Sequence, residues 1–217
     1  VALMLSLTRK VPQAYQGVKN GKWDWKILQP INRIRGKTVG IIGFGRVGKE
    51  VAARIRAFGV NIIACDPYLP LEIFDKNNVK RVDFATILEQ SDIITVHVTL
   101  TDETRHMIGE DQLRKMKKTA VLINASRGAV VDAKALYSSL KEKWITGAAL
   151  DVLEKEPPVA DDPILKLDNV IVTPHMAWYS SASLTEIQRK AAEEVAWVLS
   201  GQLPVNLVNK EVLQVKR

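Results

Sequence analysis

The feature that most constrains this chain is the run Val39-Gly40-Ile41-Ile42-Gly43-Phe44-Gly45-Arg46-Val47-Gly48. An apolar strand leads straight into Gly-x-Gly-x-x-Gly, and that leads straight into a helical pattern. Gly43 suits the tight turn, Gly45 lets the backbone approach a pyrophosphate, and Gly48 permits close helix–strand packing. The helix N-terminus that follows offers N–H groups and a positive dipole to an anion. Such a glycine triplet on its own is often just a tight turn. Here a second strand, Asn61-Ile62-Ile63-Ala64-Cys65-Asp66, ends in an acid 18 residues beyond Gly48, about where a carboxylate meets a ribose 2′-hydroxyl. Strand, helix, strand and acid in register predict a dinucleotide site.

The chain continues in the same alternation. Lys37–Ile42 reads as the first strand, then Val47, Val51, Ile55 and Phe58 recur at helical spacing until Gly59. Val60–Cys65 is the second strand, followed by a turn at Pro67–Pro70, and Val79–Val82 is a short third. Asp83–Gln90, Glu110–Met116 and Asp132–Lys141 read as helices. Ile93–His97, Ala120–Asn124, Gly147–Leu150 and Val170–Val172 read as strands four to seven. This alternation predicts an α/β fold, a doubly wound parallel sheet of Rossmann type with ligands at the carboxyl ends of the strands.

The flanks differ. Residues 1–11 carry enough apolar side chains for a packed helix, which Pro12 interrupts; residues 13–36 show no clean period and read as an extended arm. At the other end Ser183-x-x-Glu186 has the form of a capping box. It opens a helix with Leu184, Ile187, Ala191, Val195 and Val198 on one face, ended by Gly201. The tail Gln202–Arg217 holds a strand-like piece at Val205–Val208 without a partner in this chain. The expected division is a cofactor domain over residues 1–180 and, over 181–217, the helix and tail of a second domain that is mostly missing. Val1 in place of Met fits a piece of a longer protein.

The net charge of +7 sits wholly in residues 1–37, which hold eight Lys/Arg against Asp24; the other 23 basic and 23 acidic residues cancel. Trp23 and Trp25 lie within this basic stretch, a pattern also met on nucleic-acid surfaces. The plainer reading is a solvated arm, or one that pairs with an acidic surface elsewhere. The opening apolar run, Val1–Leu7, is far too short to span a bilayer. A single cysteine, Cys65, excludes an internal disulfide, suits a reducing cytoplasm, and reads as a buried small hydrophobe.

Three loops at strand ends carry the candidate chemistry. In Asn124-Ala125-Ser126-Arg127-Gly128, an arginine directly after a buried strand puts a guanidinium at the mouth of the crevice, suited to a bidentate grip on a carboxylate. In Asp151-Val152-Leu153-Glu154-Lys155-Glu156-Pro157, an acid again ends a strand, with two more in the same loop. In Thr173-Pro174-His175, a histidine follows a strand and a proline, which makes it the best acid–base candidate. Of the other histidines, His97 ends a strand and reads as structural, and His106 lies in a polar, helix-like stretch at the surface. No two have metal-ligand spacing, so no metal site is expected.

These loops, in this order after Val39–Gly48, resemble the D-isomer-specific 2-hydroxyacid dehydrogenases. The segments that match are Asn124–Asp132 (Asn-x-x-Arg-Gly-x-x-Val-Asp), Asp151–Pro157 (Asp-Val-x-x-x-Glu-Pro) and Thr173–His175; Ala2–Pro12 and Gly21–Trp23 resemble the family's linking helix and dimerisation arm. The resemblance implies NAD as cofactor and a 2-hydroxy or 2-oxo acid as substrate. It gives Arg127 the substrate carboxylate and carbonyl, His175 the proton at the hydroxyl, and Glu156 a hydrogen bond to His175 that favours its protonated form. It gives Asp151 the nicotinamide carboxamide, the Arg46 and Val47 amides the pyrophosphate, and Asp66 the adenosine ribose, where a 2′-phosphate is repelled. It also implies a homodimer.

Two departures stand out. The family often has Pro after His-x, but here His97-Val98-Thr99-Leu100-Thr101 does not. After His175, Met176-Ala177-Trp178-Tyr179-Ser180 is closer to the C-terminal-binding-protein branch of corepressors than to the phosphoglycerate dehydrogenase branch. That string keeps open a second reading, a non-catalytic NAD(H)-sensing interaction module.

Overall fold

Seven strands, all parallel, lie in the order β3-β2-β1-β4-β5-β6-β7. They are β1 (Thr38–Ile42), β2 (Asn61–Cys65), β3 (Lys80–Arg81), β4 (Ile93–Val96), β5 (Val121–Asn124), β6 (Gly147–Leu150) and β7 (Val170–Val172). The computed structural model describes residues 1–214. From β1 the chain winds outward through β2 and β3, then crosses back to start β4 on the other side of β1. Between β1 and β4 the direction of winding reverses, which opens a crevice at the carboxyl ends of the strands.

The two-residue period of a strand sorts its side chains onto the sheet's two faces. Val39, Ile41, Ile93, Val121, Ile123 and Ala149 join one core, with Met4 and Leu7 of α1 (Ala2–Thr8) and Ala52 and Ile55 of α3 (Arg46–Ile55). Ile42, Ile94, Val96, Leu122, Ala148 and Leu150 join the other. There they meet Ile87 and Leu88 of α5 (Phe84–Gln90), Leu113 of α6 (Glu110–Lys115) and Leu136 and Leu140 of α7 (Ala133–Lys141). β4, β5 and β6 are buried along their whole length, so they read as nearly continuous apolar runs, broken only by the buried Thr95 and Asn124. Each large apolar side chain fully buried there contributes about 1.5–3 kcal/mol.

Several local expectations change. Pro12 does not end a helix; it sits in the first turn of a new one, α2 (Val11–Lys19), where its missing N–H is not needed. The segment read as an extended arm is therefore helical at its start and holds a further 3₁₀ turn at Trp25–Leu28. A further helix, α4 (Leu71–Lys76), is too short to show a period in the sequence. Tertiary packing holds it: Phe74 is buried and stacks on Phe44 with ring centres 5.0 Å apart. α3 begins two residues before Gly48, so Val47 lies on its first turn and is exposed; Gly48, Ala52 and Ile55 form the buried face.

The chain divides into two compact units, Val1–His175 and Met176 onward. The second is built on α8 (Ser181–Leu199). Its cap is Ser180, earlier than expected: Ser180 Oγ accepts from Ser183 N at 3.0 Å, and Ser180 N donates to Ser183 Oγ at 2.7 Å. Ser183 is thus the third helical residue, not the cap. The strand-like Val205–Val208 is not a strand. Val205 N and Asn206 N donate to the Glu194 carboxylate of α8 at 2.9 and 3.1 Å, which removes them from any ladder. The last residues of the predicted tail, 215–217, lie outside the described residues. Among the described residues no helix is long and apolar enough to cross a membrane.

At the amino ends of the strands Asp92 ties three of them together. Its N–H donates to Thr38 O at 2.8 Å, its carbonyl accepts from Val121 N at 3.1 Å, and its carboxylate accepts from Thr38 N at 2.9 Å. Lys117 and Lys37 stand 3.3 and 3.6 Å from that carboxylate. Burial, the largest single influence, raises the Asp92 carboxyl, but the Thr38 N–H and the two ammonium groups together outweigh it and hold it below its usual value. Its contribution to stability is therefore complete above the unfolded value of 3.8 and is lost as pH falls through the folded one. Asp92→Asn should lower unfolding stability by about 1–3 kcal/mol at pH 7. In urea melts the deficit should shrink as pH is taken to 3, and a deficit independent of pH would overturn this account.

Candidate active site

The crevice begins at the glycine turn. Gly43 has φ +87°, and a Cβ there would lie 2.7 Å from His97 O, so the turn needs both the positive φ and the bare α-carbon. A Cβ on Gly48 would stand 2.3 Å from Gly43 O, because α3 packs directly on the turn. Gly45 is different: nothing lies within 4 Å of where its Cβ would be, so it faces open space in the cleft. Gly45 is also the cap of α3 and no side chain caps that helix, so its first-turn N–H groups are available to an anion.

Asp66 follows β2 at the cleft wall. Its carboxylate accepts from Phe44 N at 2.9 Å and Tyr68 N at 3.1 Å, one bond per oxygen, which orients it and leaves lone pairs for a ligand hydroxyl. The cleft has a volume of about 1410 Å³ and is lined by Gly43, Gly45, Asp66, His97 and Thr101 among others. Burial, with the Asp66 charge adding, pushes the Cys65 thiol up to about 12, and burial pulls His97 down to about 4. Both are uncharged at neutral pH. His97 Nε2 is 2.9 Å from Thr95 Oγ1. An uncapped helix start, an open glycine and an oriented carboxylate on one cleft are what a dinucleotide requires.

The parallel register places Asn124, Leu150 and Val172 at one level. The three loops that start after them are therefore neighbours, and polar bonds join them. Asp151 N donates to Asn124 O at 2.9 Å, and Thr173 Oγ1 donates to Asp151 Oδ1 at 2.6 Å. Asp151 itself is buried. The buried Asn124 shapes the arginine turn: its Oδ1 accepts from Ser126 N and Oγ at 3.0 and 2.9 Å, and its Nδ2 donates to Arg127 O at 2.9 Å. Arg127 Nη1 donates to Ser126 O at 2.7 Å, and the exposed guanidinium forms no salt bridge among the described residues.

His175 is held from three sides. Its N–H donates to Asp151 O at 2.8 Å and Thr173 O at 2.9 Å, and its backbone is left-handed at φ +51°, a conformation that costs a non-glycine residue about 1–2 kcal/mol. Its Nδ1 stands 2.7 Å from Glu156 Oε2, while Glu156 Oε1 accepts from Leu153 N at 2.8 Å. Burial, the largest influence on Glu156, raises its carboxyl; the His175 and Leu153 bonds outweigh it and leave the carboxyl below its usual value. Glu156 is thus ionised at neutral pH and accepts the Nδ1 proton, which leaves Nε2 as the ring nitrogen turned away from Glu156.

The structure places Arg127, Asp151, Glu156 and His175 in the loops after the adjacent strands β5, β6 and β7, and Gly43, Gly45, Arg46, Val47, Gly48 and Asp66 on the turn, the start of α3 and the cleft wall. One residue departs from its expected setting. His106 is not helical; it has φ +52°, and its Nε2 lies 2.7 Å from Glu154 Oε1. A pair separated by 48 residues has no spacing that a sequence can display.

The family described as D-isomer specific 2-hydroxyacid dehydrogenase, NAD binding domain, matches residues 1–177. A glyoxylate reductase of Korarchaeum cryptofilum is 46% identical over 99% of this chain and 66% of its own length. A D-3-phosphoglycerate dehydrogenase of Methanocaldococcus jannaschii is 47% identical over 96% of this chain and 40% of its own. The chain thus spans between two fifths and two thirds of the length of these relatives. Among solved structures, a glyoxylate reductase from Paecilomyes thermophila superposes with a TM-score of 0.86 at 34% identity, covering 94% of this chain and 62% of that one. The NAD-complexed form of a D-isomer specific 2-hydroxyacid dehydrogenase from Lactobacillus delbrueckii ssp. bulgaricus gives 0.83 at 33%, over 94% and 66%. With the glycine turn, Asp66 and three joined strand-end loops inside the matched span, the chain belongs to the D-isomer specific 2-hydroxyacid dehydrogenase family and carries its NAD-binding domain.

Proposed function

We propose that the protein is an NAD-dependent dehydrogenase that interconverts a D-2-hydroxy acid and its 2-oxo acid. The observation that carries this reading is the 2.7 Å bond between His175 Nδ1 and Glu156, beside Arg127 on adjacent strand ends. When bound, the nicotinamide supplies or accepts the hydride at C2 of the substrate. The chain's own residues do the rest. Arg127 holds the substrate carboxylate through paired N–H bonds. In reduction, His175 gives the Nε2 proton to the C2 oxygen as the carbonyl becomes a hydroxyl; in oxidation, neutral Nε2 takes it back. Glu156 keeps the imidazole in the orientation that presents Nε2. The Arg46 and Val47 N–H groups receive the pyrophosphate, Asp66 the adenosine ribose, and Asp151, joined to Thr173, the carboxamide side.

The relatives named above are reductases and dehydrogenases, which favours turnover over NAD(H) sensing. The Korarchaeum glyoxylate reductase and a Methylorubrum extorquens glycerate dehydrogenase make glyoxylate and hydroxypyruvate the first substrates to test. In the full-length protein, His175→Asn should lower kcat by about 10²–10⁴ and leave NADH affinity within about twofold. Retained turnover would remove His175 from the reaction. If no 2-oxo acid is reduced even by the unaltered full-length protein, the sensing module is the better reading; the 217 residues alone are expected to bind NAD(H) with little or no turnover. Asp66→Ala should weaken NADH binding about tenfold and narrow the preference over NADPH; an unchanged ratio in fluorescence titrations would count against Asp66.

We also place this protein in the cytoplasm, which suits a lone buried Cys65, and propose that it is a homodimer through residues 11–28. Trp23 is 89% and Trp25 70% exposed, and Tyr15, Val18 and Ile27 are exposed beside them in the same segment. Aromatic side chains at that exposure are characteristic of interfaces. The double change Trp23→Glu, Trp25→Glu should shift the mass seen by light scattering from dimer to monomer. A dimer that survives it would refute this interface.

A further inference from the structure

His106 lies outside the reacting pair, yet it connects the loops that carry it. The segment around it runs beside the arginine loop: His106 N donates to Ala129 O at 2.8 Å, Ile108 N to Val130 O at 3.2 Å, and Asp132 N to Ile108 O at 3.0 Å. Its imidazole then reaches two carboxylates on two other elements. Nε2 is 2.7 Å from Glu154 Oε1, and Nδ1 is 3.7 Å from Asp132 Oδ2. Each carboxylate is fixed in turn at the start of α7: Asp132 Oδ1 accepts from Ala135 N at 2.8 Å and Glu154 Oε2 from Ala133 N at 3.4 Å.

Glu154 is two residues from Glu156, and the loop between them is pressed on the arginine turn. A Cβ on Gly128 would stand 2.0 Å from the Leu153 carbonyl carbon and 2.4 Å from Glu154 N. Leu153 also supplies the N–H that orients Glu156. One face of the 153–156 loop therefore meets Gly128, one carboxylate meets His106, and the other meets His175.

We propose that His106 is a positioning residue: by holding Glu154 against the start of α7, it sets the Glu156 loop on the Arg127–Gly128 turn and so places the Glu156 carboxylate against His175. This rests on the assignment of Glu156 and His175 to proton transfer. Without His106 the loop keeps its Gly128 contact and Glu154 its long 3.4 Å bond from Ala133 N, but Glu154 loses its shorter partner. A sub-ångström displacement there acts on the transition state more than on binding. His106 itself does not line the cofactor cleft, although its neighbours Thr104 and Met107 do; a side-chain change that leaves their backbone in place therefore spares NADH affinity.

The test uses the full-length protein and NADH with glyoxylate and hydroxypyruvate. His106→Ala should lower kcat about 10- to 100-fold, with KM for the oxo acid and Kd for NADH changed by less than about threefold. His106→Gln, whose amide N–H can reach Glu154 as Nε2 does, should restore most of kcat. Glu154→Ala should behave like His106→Ala, and the double variant should lose no more than either single one. If His106→Ala does not fold, Glu154→Ala and His106→Gln carry the test. A kcat within twofold of the unaltered chain, equal losses in His106→Ala and His106→Gln, or a parallel loss of NADH affinity would each overturn the proposal. His175→Asn separates the two levels. If it retains turnover, the underlying assignment fails and takes this proposal with it; if it abolishes turnover while His106→Ala does not, only the positioning role fails.

Discussion

Everything functional in this chain depends on seven strands running the same way in one register. A parallel sheet puts every strand's carboxyl end on one side, and the pairing of Asn124 with Leu150 and of Leu150 with Val172 makes those ends level. Side chains far apart in sequence then emerge as neighbours. The reversal of winding between β1 and β4 adds the crevice in which a flat, extended ligand can lie against them. Asp92 secures the far end of the same strands, so the sheet is tied at its base and open at its top.

Two kinds of close contact convert that layout into a site. Where backbone meets backbone, glycine is required: Gly43 against His97, Gly48 against Gly43, and Gly128 against Leu153. Where a polar side chain must be held still, a second one holds it: Asn124 the arginine turn, Thr173 the buried Asp151, Glu156 the ring of His175. The left-handed backbone of His175 is tolerated because two N–H···O bonds and an ionised carboxylate over-determine its position.

Much of this was legible beforehand. β6 and β7 fall on the residues expected for them, and β1, β2, β4 and β5 differ by one residue at an end, because mostly apolar runs between turn signals mark parallel strands. Arg127 and His175 stood out in the sequence because each closely follows a strand, whereas Glu156 was singled out only by the family resemblance. α2 and α4 were not legible. The first opens on a proline that also reads as a stop, and the second is six residues long and held by Phe74 stacking on Phe44, a contact 30 residues away. Val47 kept the helical spacing but not the burial, since spacing fixes a face and only packing says whether that face is covered.

The sequence by itself determined the order of elements, the glycine turn, the acid that follows β2 and the three polar loops at strand ends, because each is a local pattern of residue types and spacings. Tertiary structure decided how those loops meet. It set Gly128 on Leu153, aimed Glu156 at His175, and brought His106 to Glu154 across 48 residues. These are contacts between segments with no common period, and they exist only once the parallel sheet has brought its strand ends together.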